Sequence, residues 1–184
     1  MRLAQAAGLP LVRYFTKMER DLGADIPNLP LPEGLRLAIP TQADSGRIHA
    51  AKNAAFRDHW GSQPSTREMW DSMMGQPTSH FELSVIALDG EEVAGFVMTQ
   101  VYPDDFENQG YVGGYIPLVG VVKEWRHQGV APALLAAAFK LYREAGHEKV
   151  TLDVDSENPS GALGLYTGMG FTPTSRSVAF VEQF

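Results

Sequence analysis

Residues 126–132 read Arg-His-Gln-Gly-Val-Ala-Pro, a short polar bend with one glycine between two apolar stretches. Upstream, residues 118–122 are all apolar or glycine and three are valine, which suits a strand buried on both faces. Downstream, over residues 132–145, Leu134, Leu135, Ala138, Phe139 and Tyr142 recur at helical spacing. Strand, bend and helix start together aim backbone N–H groups and the positive end of a helix dipole at one spot. Such a spot binds phosphate. The competing reading is an ordinary strand-to-helix turn in which Gly129 only relieves crowding. Tyr166 is the second residue with chemistry to offer: a phenol with an ordinary pKa of ~10 stays protonated at neutral pH and can donate to a departing anion. At i+4 from Ala162 it also fits as a core aromatic.

The elements that must position Tyr166 follow the bend. Residues 150–154 alternate as a strand, and residues 157–161 are loop and helix-start chemistry with Ser160 a candidate cap. Ala162, Leu165, Tyr166 and Met169 then share one helix face, and Gly170 ends the helix before Phe171.

Together, Arg126-x-x-Gly129-x-Ala131 and the segment from Asn158-Pro-Ser-Gly to Tyr166-x-x-Met-Gly170-Phe171 resemble the two signature motifs of the GNAT superfamily of N-acyltransferases. The sequence is most similar to the mycothiol synthase-like members, many of which have two such domains. The resemblance covers residues 35–184 and implies an acetyl-CoA-dependent N-acetyltransferase. It assigns phosphate binding to Arg126, His127, Gln128, Gly129, Val130, Ala131 and Pro132. Pro132 has no N–H, so the donors are chiefly Gln128, Gly129, Val130 and Ala131. The amide-rich pantetheine arm matches a strand edge at Val119, Gly120 and Val121. A backbone N–H near Val121 then polarises the thioester carbonyl. Asn158 matches the position that bonds the arm, or caps the following helix; its spacing to Tyr166 is one residue longer than in many members. Tyr166 matches the general acid that protonates the thiolate.

Composition bounds the alternatives. A chain of 184 residues with 44% apolar and 20% charged residues has globular values and can bury a sizeable core. A formal net charge of −7 argues against nucleic acid or an anionic membrane as partner, so an anionic ligand needs a local basic patch, for which Lys123, Arg126 and His127 are candidates. With no cysteine there is no disulfide, thiol nucleophile or Cys-based zinc site, and no metal is expected. No apolar run approaches the ~20 residues that cross a bilayer, and a cytoplasmic protein is the expectation. There is no Gly-x-Gly-x-x-Gly pattern for a dinucleotide.

Taken in order, residues 1–34 read as an N-terminal tail and Pro-rich linker. Residues 3–7 form a last helical turn stopped by Gly8, residues 11–18 a strand, and residues 21–34 the linker. The tail is either the end of a preceding similar domain or an unrelated extension, and the expected assembly is a tandem similar domain or a homodimer. Residues 35–39 are the first strand of the acyltransferase domain, and residues 41–57 a helix. Ser65 with Glu68 is a capping box for a second helix at 66–74. Residues 81–88 and 93–102 are strands joined by Asp89-Gly90, a hairpin signal. Residues 111–122 form the next strand, in which Gly113, Gly114 and Pro117 permit a bulge. The fold class is therefore α/β (α+β): a mixed, mostly antiparallel central sheet with helices on both faces. The resemblance adds a splay between the fourth and fifth strands of the domain.

For the acceptor, the resemblance points to Phe56, His59, Trp60, Trp70 and Met73, with core packing the alternative for these, and Tyr115 lies in the strand beside the reacting centre. Asp104, Asp105 and Glu107 form an acidic loop that either is merely solvated or attracts a cationic amine. Where many members carry a glutamate base, this chain has Tyr115, Ile116 and Leu118; a water relay through Asp153, Glu82 or Tyr115 is the substitute. Two functions follow: an N-acetyltransferase acting on a small-molecule or peptide amine, or a non-catalytic acyl-CoA-binding or interaction domain.

Overall fold

The computed structural model describes residues 11–57, 63–155 and 161–180. In chain order the elements are β1 (Leu11–Asp21), β2 (Leu35–Ala38), α1 (Ser45–Ala55), α2 (Arg67–Met74), β3 (Val85–Asp89), β4 (Glu92–Gln100), α3 (Phe106–Gln109), β5 (Gly113–Val121), α4 (Val130–Glu144), β6 (Lys149–Asp155), α5 (Ala162–Gly168) and β7 (Thr172–Phe180). These seven strands and five helices form the expected mixed α/β fold. Residues 21–150 make one compact unit, and the remaining described residues make a second.

In the larger unit β2, β3, β4 and β5 lie in that order, each pair antiparallel. Gly90 takes φ 56° in the β3–β4 hairpin, the left-handed turn the Asp-Gly pair foretells. Because side chains alternate across a strand, β4 presents two faces. Phe96 and Met98 pack with Ile48, Ala51 and Ala55 of α1 and Trp70 and Met74 of α2, in the main apolar cluster. Gly95, on the opposite face, lies under α4: a Cβ there would meet Val130 Cγ1 at 2.9 Å and Leu134 Cδ1 at 3.1 Å. Helices thus cover both faces.

The expected bulge in β5 is present. Met98 pairs with Leu118 but Gln100 with Tyr115, so β5 carries one extra residue at Ile116–Pro117. Pro117 has no N–H for the ladder. The Tyr142 hydroxyl, from the last turn of α4, is shared between the carbonyls of Gln100 (3.1 Å) and Tyr115 (2.9 Å). Its ring occupies the space a Cβ on Gly114 would need, coming within 2.2 Å of that position.

Several boundaries differ from the sequence reading, each for a local reason. The second helix is capped by Thr66, whose Oγ1 accepts from Met69 N at 3.2 Å, because Ser65 is engaged elsewhere. Ser65 N donates to Asn53 Oδ1 at 3.0 Å, and Ser65 O lies 2.8 Å from His49 Nε2. Residues Phe81–Leu83 form a 3-10 turn, so β3 starts at Val85. α4 starts at Val130, placing Pro132 inside its first turn, where a missing N–H costs nothing. Within the stretch read as a linker, Leu22 and Ile26 are buried, and Leu22 N donates to Glu148 O at 2.8 Å.

The smaller unit holds the strand order β6-β1-β7, with β1 and β7 antiparallel and Tyr14 opposite Val178. Gly170, at φ 86°, stops the chain after α5 as expected. The buried Arg20 guanidinium donates to Met169 O at 2.8 Å beside that glycine. Residues 3–7, His59, Trp60, Asn158 and Ser160 lie outside the described residues. Among the described residues no helix is long and apolar enough to cross a membrane.

Candidate acyl-donor site

Beyond β5 the chain makes a 3-10 turn at Lys123–Trp125, then extends at Arg126 before entering α4. His127 has φ 60°, a left-handed conformation that costs a side-chain-bearing residue energy and that gathers at functional sites. Gly129 is the N-cap of α4 at φ 83°, and a Cβ on it would meet nothing within 4 Å. The glycine therefore answers the left-handed backbone conformation, with no crowding to relieve.

The first helical bond, Ala133 N to Gly129 O at 3.2 Å, leaves the N–H groups of Val130 and Ala131 without an intrahelical acceptor. Those of His127, Gln128 and Gly129 donate to no carbonyl among the described residues. Five successive donors, from His127 to Ala131, thus stand at the positive end of a 15-residue helix.

Arg126 holds this bend. Its Nε donates to Val121 O at 3.2 Å and its Nη2 to Ala55 O at 2.7 Å, tying the bend to the end of β5 and to the last residue of α1. The guanidinium is thus directed to carbonyls, while Lys123 and His127 are exposed. The Gln128 side chain turns back, Nε2 donating to Glu124 O at 2.9 Å.

On β5, Val122 N donates to Ala94 O at 2.9 Å, making that facing pair a hydrogen-bonded one. By the alternation of an antiparallel ladder, Gly120 is bonded to Phe96, whereas Val119 and Val121 turn their N–H and C=O groups away from β4. Gly120 is buried, and a Cβ there would meet Phe96 Cζ at 2.3 Å. Of the three expected strand positions, Val119 and Val121 turn their polar groups away from β4, with the Val121 carbonyl accepting from Arg126, and Gly120 serves packing.

Tyr166 lies in the smaller unit, on α5. Its ring meets Phe171 edge-on, centroids 5.8 Å apart, and its hydroxyl has no hydrogen-bond partner among the described residues. Burial pushes its phenol up to about 12, so it stays protonated well above neutral pH.

Of the proposed acceptor residues, Trp70 is fully buried and donates from Nε1 to Ser45 Oγ at 2.9 Å, and Phe56 and Met73 pack against the same cluster. These three serve the core. Tyr115 is partly buried, its ring edge-on to Tyr102 at 6.3 Å. Of the relay candidates, Asp153 is exposed and Glu82 lies 2.6 Å from His80 Nδ1. Partial burial pushes the Glu82 carboxyl up, but the His80 hydrogen bond helps bring it down to a net lowering. Among the described residues no group of three or more His, Asp or Glu is placed to hold a metal ion.

Comparisons with known proteins identify the family. Residues 47–171 match the family model "Acetyltransferase (GNAT) family". The chain is 31% identical over 182 residues to a mycothiol acetyltransferase of Pseudarthrobacter chlorophenolicus, covering 97% of this chain and 55% of that protein. It is 32% identical over 175 residues to one from Streptomyces bingchenggensis, covering 92% and 54%. The chain spans about half the length of the curated relatives it matches. Among solved structures, a GCN5-related N-acetyltransferase from Sphaerobacter thermophilus superposes with a TM-score of 0.79 at 30% identity, over 96% of this chain and 53% of that one. The chain belongs to the acetyltransferase (GNAT) family.

Proposed function

We propose that this chain is an acetyl-CoA-dependent N-acetyltransferase acting on a primary amine of a small molecule or a peptide N-terminus. The observation that carries the reading is the bend at the head of α4, where five backbone donors stand beside an open, left-handed Gly129. Those donors fit a diphosphate, and Gly129 lets it approach the main chain. Val119 and Val121 hold the amide-rich arm as an added strand would be held, and a β5 backbone N–H further along the arm polarises the thioester carbonyl.

The acceptor nitrogen attacks the carbonyl carbon, the C–S bond breaks, and Tyr166 donates its proton to the leaving sulfur. The amine proton leaves to water, through Glu82, Asp153 or Tyr115, and the products are an N-acetyl amide and free CoA. The exposed Asp104 and Asp105, next to Tyr102, favour approach of a cationic amine. Arg126 acts here as the residue that positions the bend. His59, Trp60 and Asn158 keep their expected roles at the acceptor and the donor arm. The mycothiol acetyltransferase relatives support acetyl transfer, and residues 1 to about 20 fit the end of a preceding similar domain by their order of elements.

One observation favours a second reading, a binding domain without turnover: between Gly113 and Val121, β5 carries no titratable side chain except Tyr115. Thiol release from acetyl-CoA with an amine panel separates the two. The enzyme reading predicts amine-dependent CoA release that Tyr166→Phe lowers. Tight acetyl-CoA binding with no release for any amine would select the binding domain.

A further inference from the structure

Gln100 is 5% exposed, yet only one end of its carboxamide is engaged. Oε1 accepts the Tyr102 hydroxyl at 2.7 Å, whereas Nε2 donates to no described residue. In this unit the enclosed side-chain atoms that lack a partner, among the described residues, are Thr78 Oγ1 and His147 Nδ1. Gln100 Nε2 is not one of them, so it keeps an opening to solvent. A nearly buried donor left unmet is costly, and its position explains what meets it.

Gln100 stands at a built corner. It faces Tyr115 across β4 and β5, next to the bulge at Ile116–Pro117. On its other flank Ser79 bridges to it, and the Ser79 hydroxyl donates to Met73 O at 2.9 Å, tying the corner to the end of α2. The rings of Tyr102 and Tyr115 stand edge to face beside it. The Tyr142 hydroxyl pins both backbone carbonyls beneath. Tyr115 precedes Val121 by six residues, a span of roughly 20 Å along an extended strand. A donor arm that starts at the bend and follows β5 therefore ends at this corner.

We propose that Gln100 determines acceptor specificity: Nε2 donates to a hydroxyl or carbonyl oxygen on the carbon next to the reacting amine, with Tyr102 and Tyr115 as the walls. The inference rests on the acetyltransferase reading above and narrows its acceptor to amino alcohols and amino amides over plain alkylamines. A site built to hydrogen-bond an oxygen rejects an analogue that lacks it far more strongly than an apolar pocket discriminates by size.

The test uses the full chain and matched pairs: trans-2-aminocyclohexanol against cyclohexylamine, and L-alaninamide against sec-butylamine. Each pair is compared by CoA release at saturating acetyl-CoA and by calorimetric binding of the amine. Wild type is expected to favour the oxygen-bearing member of at least one pair by about tenfold or more in kcat/KM and in affinity. Gln100→Met removes the donor at similar volume, and Gln100→Glu keeps an acceptor for the Tyr102 hydroxyl while losing the donor; both bring the ratio close to one. A ratio unchanged in the two variants, or a wild type indifferent to the oxygen in both pairs, would overturn the proposal. Failure of acetyl-CoA to bind or turn over sinks the acetyltransferase reading separately. The calorimetric pairs then still decide the role of Gln100, supporting it if the preference is present and lost in the variants, and overturning it otherwise.

Discussion

Gly95 of β4 lies directly beneath Val130, the first residue of α4: a methyl group added at Gly95 would come 2.9 Å from Val130 Cγ1 and 3.2 Å from Gly120 O. The helix whose start is the proposed phosphate site is thus seated on a sheet position with no side chain. Val130 is stiff at χ1 and the Gly120 carbonyl belongs to the ladder, so neither yields cheaply. Gly95→Val is expected to destabilise by about 1–3 kcal/mol through overpacking, and to weaken CoA binding by tilting the start of α4. Thermal melting and CoA titration check both. A variant of unchanged melting temperature and affinity would show that the seat has slack.

Gly129 separates the two roles that Gly95 combines. Space is open at its Cβ, so a substitution meets only the left-handed strain of φ 83°, about 1–2 kcal/mol. Gly129→Asn, which tolerates that region better, should keep most stability and lose affinity only modestly. Gly129→Glu adds a negative charge at the proposed diphosphate site and should abolish CoA binding, with circular dichroism still showing a folded chain. Wild-type affinity in the glutamate variant would remove the phosphate site from this bend.

Arg126→Ala leaves the carbonyls of Val121 and Ala55 without their guanidinium donor. A cost of about 1–3 kcal/mol is expected, together with a raised KM for acetyl-CoA. Arg126→Lys should not rescue it, because one ammonium cannot reproduce the two-armed geometry. Full rescue by lysine would mean that charge, and not the tether, is what the position supplies.

Tyr166 predicts a pH signature. Its phenol is raised to about 12, above the ordinary value of ~10 in an unfolded chain. As pH climbs between those values the unfolded state gives up its proton first, so the folded state loses stability through that window. Tyr166→Phe should remove this part of the alkaline loss, with little cost at pH 7 because the hydroxyl has no partner among the described residues. The same variant should lower kcat by about 10²–10⁴-fold, the usual scale for losing a general acid. Melting curves from pH 8 to 11, with the kcat comparison, check both.

How much of this was legible beforehand follows the range of the interactions. The α4 stripe, the Asp89-Gly90 hairpin, the β5 bulge and the Gly170 stop are local patterns, and each is where the residues place it. The helix cap moved from Ser65 to Thr66 because Ser65 is held by His49 and Asn53, partners 16 and 12 residues away. Trp70 read either as an acceptor contact or as core, since an aromatic near a site looks the same in sequence as one beneath a core. The Arg126 tether to Ala55 spans 71 residues and leaves no mark in the sequence around either residue. Gly95 was not singled out in the sequence, although a glycine inside a strand is itself a sign of close approach. Gln100 passed unnoticed, a polar residue in an otherwise apolar run.

The central claim is that the main-chain amides heading α4 bind the diphosphate of the acyl donor. The most direct measurement is titration of ¹⁵N-labelled protein with CoA, followed residue by residue in amide correlation spectra. The account predicts that the largest saturable shifts fall on His127, Gln128, Gly129, Val130 and Ala131, and that a pantetheine fragment without the diphosphate leaves them still. Shifts concentrated elsewhere while these five stay unmoved would contradict it.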